Sequence, residues 1–179
     1  WVNVPSLSST TDTVIYMYYG NSGAANQQNA AGVWDANYLA VHHMEETSGT
    51  LEDSTINNKD GTPLNGVVQG ISGKIDGGDQ FDGQDDRITL PQIFTNQNAF
   101  TIEAWVNTAN KQGYIVSQRD TSSRGAFIQY YTTPTQTEFQ LYVNDKSIAR
   151  PTFTNSWQHV TGTFDGTTAK LYVNGGVPI

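Results

Sequence analysis

The chain has 179 residues, which suits one domain of ordinary size with a short appended segment. Its formal net charge of −8 disfavours nucleic acid as a partner, because the phosphate backbone is itself negative. The absence of cysteine excludes disulfide bonds, thiolate nucleophiles and cysteine-ligated zinc sites. No apolar run approaches the ~20 residues that a membrane-spanning helix needs, so membrane insertion is not expected.

The first 32 residues contain one predicted strand and one predicted linker. Residues 13–19 are rich in Val, Ile and Tyr and are bounded by Asp12 and Gly20, a pattern typical of a strand. Residues 21–32 consist mainly of Ala, Asn, Gln and Gly without apolar periodicity, which is typical of a linker. We therefore predict a strand segment at 1–20, a linker at 21–32 and a domain at 33–179.

Short β-prone runs and turn signals alternate through this domain, and no long helical pattern competes with them. From Phe100 to Val106 every second residue is apolar, as expected for a strand with one face against a core. Asx-Gly pairs at 82–83, 165–166 and 174–175 favour tight hairpin turns. The predicted strands are 38–44, 74–81, 87–90, 100–107, 114–118, 125–131, 138–143, 157–164 and 170–173.

Seven motifs follow one another in a fixed order: LAVHHMEE (39–46), DST with DGT (53–55 and 60–62), GKIDGG (73–78), QFDGQDDRI (80–88), FTIEAWV (100–106), SWQHV (156–160) and KLYVNG (170–175). In this order they resemble the laminin G-like jelly roll of the concanavalin A-like lectin/glucanase superfamily. The resemblance implies an all-β fold, an antiparallel two-sheet β-sandwich with jelly-roll connections and an extra N-terminal strand.

Residues 14–21 resemble the closing strand of an uncharacterised module that precedes such jelly rolls in prokaryotic surface proteins. The resemblance therefore implies a secreted or cell-surface location in a prokaryote. Domains of this type continue past the motif at 170–175, so the domain at 33–179 is expected to lack its last strands. A shortened chain, pairing by the N-terminal strand and pairing by another subunit all remain open explanations.

The sequence gives no positive sign of catalysis. Glycosidases of the superfamily carry alternating carboxylates on one strand, and that spacing does not occur here. The strand with Glu103 offers one carboxylate, and the adjacent Glu45 and Glu46 point to opposite faces of a strand. The nucleophile motif Gly-x-Ser-x-Gly is also missing. We therefore expect a protein that is not an enzyme, with a glycoside hydrolase as the least favoured alternative.

Two acidic loops offer oxygen ligands of the kind that Ca²⁺ prefers. Their candidate ligands are Asp53, Asn58 and Asp60 in the first loop and Asp82, Asp85 and Asp86 in the second. The same side chains also form Asx turns in loops that bind no metal. Calcium is the one cofactor that the sequence suggests, and both interpretations stay open.

A set of aromatic and polar residues is a candidate ligand-binding surface, because exposed rings beside hydrogen-bonding groups are typical of sugar sites. The set is Trp34, Tyr114, Arg119, Tyr130, Tyr142 and Asn144. Aromatic residues on strands also commonly pack in the core of a protein. Trp105 and Trp157 are expected to be core residues of this kind. Arg119 begins a polar loop, 119–125, that either lines a binding edge or is a solvated hairpin tip.

Two functions from different classes follow. The first is a non-catalytic adhesion or binding module that recognises a glycan or a surface protein. The second is a structural subunit of an extracellular filament or surface layer, which self-associates when an edge strand completes a neighbour's sheet. The strand donors in that case are Val14, Ile15, Tyr16, Met17 and Tyr18.

Overall fold

The computed structural model describes residues 1–94, 98–109, 112–119, 125–152 and 154–179. Within these ranges the chain forms one short helix and eleven strands. They are α1 (Ala30–Val33), β1 (Thr62–Leu64), β2 (Val68–Ser72), β3 (Gly77–Gln80), β4 (Arg87–Thr89), β5 (Phe100–Asn107), β6 (Gly113–Arg119), β7 (Gly125–Thr132), β8 (Thr137–Val143), β9 (Lys146–Pro151), β10 (Trp157–Phe164) and β11 (Ala169–Val173). No helix in these ranges is both long enough and apolar enough to cross a membrane.

Two antiparallel sheets form the body of the domain. The four-stranded sheet has the order β6-β7-β8-β9, and the three-stranded sheet has the order β11-β10-β5. Two smaller antiparallel pairs, β2-β3 and β1-β4, accompany them. This arrangement confirms the predicted all-β sandwich.

The core lies between the two main sheets. Ile128 and Leu141 of the four-stranded sheet and Val160 and Leu171 of the three-stranded sheet are all 0 % exposed and belong to one apolar cluster. The sheets approach closely at Gly162, where an added Cβ would lie 2.8 Å from Leu141 Cδ1. Apolar packing of this density is the main source of stability for a chain without disulfide bonds.

The predicted N-terminal strand is wrong in the structure. Residues 13–20 belong to no strand, and the side chains of residues 14–19 are 64–92 % exposed. β-Propensity describes how a side chain fits a pleated surface, but a strand also needs a partner, and no described strand pairs with this run. The predicted strand at 38–44 is likewise reduced to an isolated bridge between His42 and Asp53.

The structure contains several elements that the sequence analysis did not predict. The helix α1 begins inside the predicted linker, where the Asn29 side chain caps it by accepting a hydrogen bond from the Gly32 amide at 3.0 Å. The strands β1, β2 and β9 were also not predicted. β9 follows a two-residue turn in which Asn144 and Asp145 both have positive φ, 47° and 67°, as a type I′ hairpin requires.

Residues 44–47 cross over the β2-β3 hairpin and bring two carboxylates together there. A Cβ at Gly77 would lie 2.5 Å from the Met44 carbonyl oxygen, so glycine is what permits this close crossing. Glu46 Oε2 and both carboxylate oxygens of Asp79 are buried and have no hydrogen-bond partner among the described residues. Burial, reinforced by the charge of Glu46, raises the pKa of Asp79 from 3.8 to about 6.

Replacing Asp79 by Asn is expected to stabilise the protein at neutral pH. Because the pKa of Asp79 is higher in the folded state, ionisation costs folding free energy that appears as pH rises from about 4 to 6. We expect D79N to exceed the native chain in free energy of unfolding by roughly 1 to 2 kcal/mol at pH 7.5, with little difference at pH 3.5. Urea unfolding at both pH values measures this.

The control is Asp76→Asn in the same hairpin, which is exposed and should change stability by less than about 0.5 kcal/mol. A D79N protein that is less stable than the native chain at pH 7.5 would show that the ionised carboxylate has a stabilising partner.

Candidate functional site

Three of the predicted ligand-binding residues meet on the outer face of the four-stranded sheet. In β7, the side chains of Ala126 and Ile128 belong to the core, so the intervening Phe127 points outward. The register pairs Phe127 with Tyr142 of β8. Tyr114 and Arg119 lie on the other neighbouring strand, β6. We refer to Tyr114, Arg119, Phe127 and Tyr142 as the aromatic platform.

The three rings of the platform are in direct contact. Phe127 and Tyr142 stack with their centroids 4.3 Å apart and an interplanar angle of 16°. Tyr114 meets Phe127 edge to face at 5.2 Å, and it is 58 % exposed. Contacts of this kind hold each ring in place, so the exposed part of the platform is a fixed surface.

The guanidinium of Arg119 packs against two of these rings. Its Cζ atom is 4.1 Å from the centroid of Phe127 and 5.0 Å from that of Tyr114. Its Nη2 atom donates a hydrogen bond to Tyr114 Oη at 2.8 Å. The cation–π contacts and the hydrogen bond together fix the plane of an otherwise flexible guanidinium group.

A depression of about 240 Å³ adjoins the platform and is lined by Arg119, Gly125, Phe127, Tyr142 and Asp145. Gly125 has a φ of 149°, and a Cβ there would lie 2.1 Å from the Gln118 carbonyl oxygen. The β8-β9 hairpin is tied to this point by a 3.1 Å hydrogen bond from the Asn144 amide to the Gly125 carbonyl. This bond holds the rim of the depression against the start of β7.

A row of amide side chains and one carboxylate continues the same face. Gln129 Nε2 donates to Gln140 Oε1 at 2.7 Å, and Gln140 in turn donates to Glu138 Oε1. The other oxygen of Glu138 accepts from Gln136 Nε2 at 2.7 Å. This face therefore combines fixed aromatic surface with ordered hydrogen-bonding groups.

Of the remaining predicted ligand residues, Tyr130 and Trp34 lie away from the platform, and Asn144 lies at the rim of the depression. Tyr130 is 1 % exposed and packs in the core, so its assignment to a ligand surface is wrong, because the alternation of β7 turns it inward. Trp34 packs with Trp1 and Tyr38 in an N-terminal aromatic cluster. Asn144 is in the turn beside Asp145, and residues 120–124 of the predicted polar loop lie outside the described residues.

Sequence reasoning missed Phe127 and Asp145. The alternation of Ala126, Ile128 and Tyr130 was the available signal for Phe127, because three inward residues force those between them outward. Asp145 had no such signal, since its place depends on the conformation of the turn.

The outer face of the three-stranded sheet carries an exposed aromatic residue, Trp105. Trp105 is 40 % exposed, so its expected place in the core is wrong, and Trp157 is half-buried. The ring of Trp105 contacts the His159 ring at 5.1 Å and lies 5.4 Å from Lys74 Nζ. His159 Nε2 is 3.8 Å from Glu103 Oε2. Trp105 is the natural control for the platform, since it is a comparable ring on the opposite sheet.

A sequence-family model described as the concanavalin A-like lectin/glucanases superfamily matches residues 82–177, which include β5 to β11. The chain belongs to this superfamily. A second model, described as a domain of unknown function (DUF2341), matches residues 1–59 and agrees with the N-terminal resemblance. The predicted domain boundary at residue 33 lies inside that second match and stays a prediction. Searches of the curated proteins and of the solved structures return no match.

In this superfamily member the first predicted calcium loop is organised around Asp53. Its Oδ1 accepts hydrogen bonds from the amides of Val41 and Thr55, and its Oδ2 accepts from Thr55 Oγ1 and the Lys59 amide, all at 2.8 to 3.0 Å. Burial acts to raise the pKa of Asp53, but these hydrogen bonds outweigh it and the pKa is lowered. The Asp53 amide donates to Asp60 Oδ1 at 2.9 Å, and Asn58 adopts a φ of 49°.

The second predicted loop brings its three carboxylates together. Oxygens of Asp82, Asp85 and Asp86 all lie within 4.8 Å of one another. Asp82 Oδ1 accepts from the Gln84 amide at 2.8 Å, and Asp86 Oδ2 accepts from the Asp82 amide at 2.9 Å, as in Asx turns. The trio fits part of a calcium shell, which needs six to eight oxygens, and the calcium site stays a prediction.

Replacing Asp53 by Asn is expected to destabilise the chain by about 2 kcal/mol at pH 7, because one acceptor oxygen becomes a donor facing amide donors. The lowered pKa of Asp53 means that its contribution is present above pH 4 and is lost as pH falls through its folded-state pKa. The native chain should therefore lose more stability than D53N between pH 5 and 2.

Chemical unfolding across this pH range measures both effects. The neighbouring exposed Glu52→Gln is the control and should change stability by less than about 0.5 kcal/mol. Equal stability of D53N and the native chain at pH 7 would remove Asp53 from its organising role.

Proposed function

We propose that this chain is a non-catalytic module that binds a glycan across the aromatic platform. The observation that carries the proposal is the fixed arrangement of Tyr114, Tyr142 and Arg119 beside a row of ordered amides on one sheet face. Sugar rings present apolar C–H faces together with many hydroxyls. A surface of rings flanked by planar hydrogen-bonding side chains matches both kinds of group.

The environment of the carboxylates on this face supports binding rather than hydrolysis. Glycoside hydrolysis needs a proton donor and a second carboxylate on either side of the scissile bond. Both oxygens of Glu138 accept hydrogen bonds from Gln136 and Gln140, and the residue is buried, so this carboxylate is occupied within the sheet face and is not presented to a bound sugar. Asp145 lies in the β8-β9 turn and lines the depression beside the platform.

The proposal places the chain at a cell surface or in the extracellular space of a prokaryote. A cysteine-free domain of net charge −8 is compatible with that setting, since its stability needs no disulfide bond. The resemblance of residues 14–21 to a surface-protein module points the same way.

The test is a glycan array followed by calorimetric titration of the glycans that bind, with Ca²⁺ and with chelator. Tyr142→Ala removes the ring that stacks on Phe127, and we expect it to weaken binding at least tenfold. Trp105→Ala on the opposite sheet is the matched control and should leave affinity within twofold.

Loss of binding in W105A with retention in Y142A would move the site to the other sheet. Absence of binding to any glycan under either metal condition would contradict the proposal. Hydrolysis of a glycan that binds would contradict its non-catalytic part, and a chelator effect would support the predicted calcium site.

A second candidate function rests on a different observation, the exposed run at residues 14–19. We propose as the alternative that this run adds as a strand to a neighbouring copy, because exposed and unpaired β-prone segments template strand addition. The chain would then be a structural subunit of a filament or surface layer.

Strand addition predicts assemblies that grow with concentration, measured as mass by light scattering. Ile15→Pro should abolish them, because proline removes a ladder donor and restricts the backbone. Gln27→Pro in the predicted linker is the control and should assemble normally. A native chain that stays monomeric over the accessible concentration range would overturn the alternative.

A further inference from the structure

The guanidinium of Arg119 is fixed in orientation while much of its hydrogen-bonding edge stays available. Its Cζ atom lies over Phe127 at 4.1 Å and over Tyr114 at 5.0 Å, and one N–H of Nη2 is used by Tyr114 Oη. A guanidinium carries five N–H donors in its plane, and the side chain is exposed. The fixed plane therefore presents unused donors at the edge of the platform.

This cation has no acidic partner among the described residues. The one ion pair in those residues joins His159 to Glu103 on the other sheet, so no described carboxylate lies within 4.0 Å of Arg119. The described lysine and arginine side chains elsewhere also form no ion pair, so what distinguishes Arg119 is that aromatic rings hold its guanidinium in place. Its orientation is stabilised by the aromatic rings, and its charge is left for a ligand.

We propose that the platform selects acidic glycans, with Arg119 binding a sugar carboxylate through two parallel N–H donors. This inference rests on the proposed glycan-binding function. The fork of a guanidinium matches the two oxygens of a carboxylate, which is why arginine is favoured where such groups are recognised.

Asp145 restricts which acidic sugars the site would accept. It lines the same depression as Arg119 and Tyr142. Its carboxylate would accept hydrogen bonds from the hydroxyls of a sugar bound there. The same negative charge repels ligands with many anionic groups close together. The site therefore suits a uronic-acid residue, with one carboxylate and free hydroxyls, better than a polysulfated chain.

The experiment compares oligosaccharides of uronic acids with their methyl esters, which have the same shape without the charge. We expect the native chain to bind at least one acid at least tenfold more tightly than its ester, with the difference shrinking as salt rises. Arg119→Gln should reduce the ratio to about one, and Arg119→Lys should recover only part of it. Arg87→Gln, a cation away from the platform, is the matched control and should keep the native ratio.

The outcomes separate this inference from the proposed function. Equal binding of acid and ester, with Tyr142→Ala still weakening both, would overturn the acidic preference and leave the glycan module standing. No binding to any member of the panel or to the glycan array would overturn both. Tightest binding to a sulfated oligosaccharide would overturn the assignment of a carboxylate. If Arg119→Gln kept the native ratio of acid to ester affinity, Arg119 would not be the group that binds the sugar carboxylate.

Discussion

The antiparallel register of β7 with its neighbours is the constraint on which the rest of the structure depends. Because side chains alternate along a strand, the pairing that puts Ile128 opposite Leu141 inside the core also puts Phe127 opposite Tyr142 outside it. A shift of one residue would exchange these sets and lose both the core and the platform. Stability and binding surface are therefore set by the same hydrogen-bonded ladder.

The side chains of the aromatic platform are held in place by contacts outside the core. The rings of Tyr114 and Tyr142 touch Phe127 from different directions, and Arg119 covers the same ring. Each such contact contributes on the order of 1 kcal/mol, so they fix orientation more than they stabilise the fold. A surface ordered before the ligand arrives loses less conformational entropy on binding.

Much of the fold could be predicted from sequence because strands and hairpins have local signals. The strands from β5 to β8, β10 and β11 match their predicted positions closely, since each combines alternation with turn residues. The β9 strand was not predicted, because its turn is formed by Asn144 and Asp145 and lacks the glycine of an Asx-Gly turn signal. The run at 13–19 was misassigned because local propensity does not report whether a pairing partner exists.

The candidate site was only partly predictable for a related reason. Tyr114, Arg119 and Tyr142 were selected as residue types, but their meeting depends on the β6-β7-β8 register. Tyr130 was selected on the same grounds and lies in the core, because its neighbour Tyr131 takes the outward position. Asp53 was selected as a metal ligand from its type, whereas its four hydrogen bonds from surrounding groups give it an organising role in the structure.

The most direct test of the central claim is a nuclear magnetic resonance titration of the isotopically labelled chain with a glycan that it binds. The account predicts that the largest shift changes cluster at Tyr114, Arg119, Phe127, Tyr142 and the Asn144–Asp145 turn. Changes confined to the face around Trp105 and His159, or to the N-terminal aromatic cluster, would contradict it.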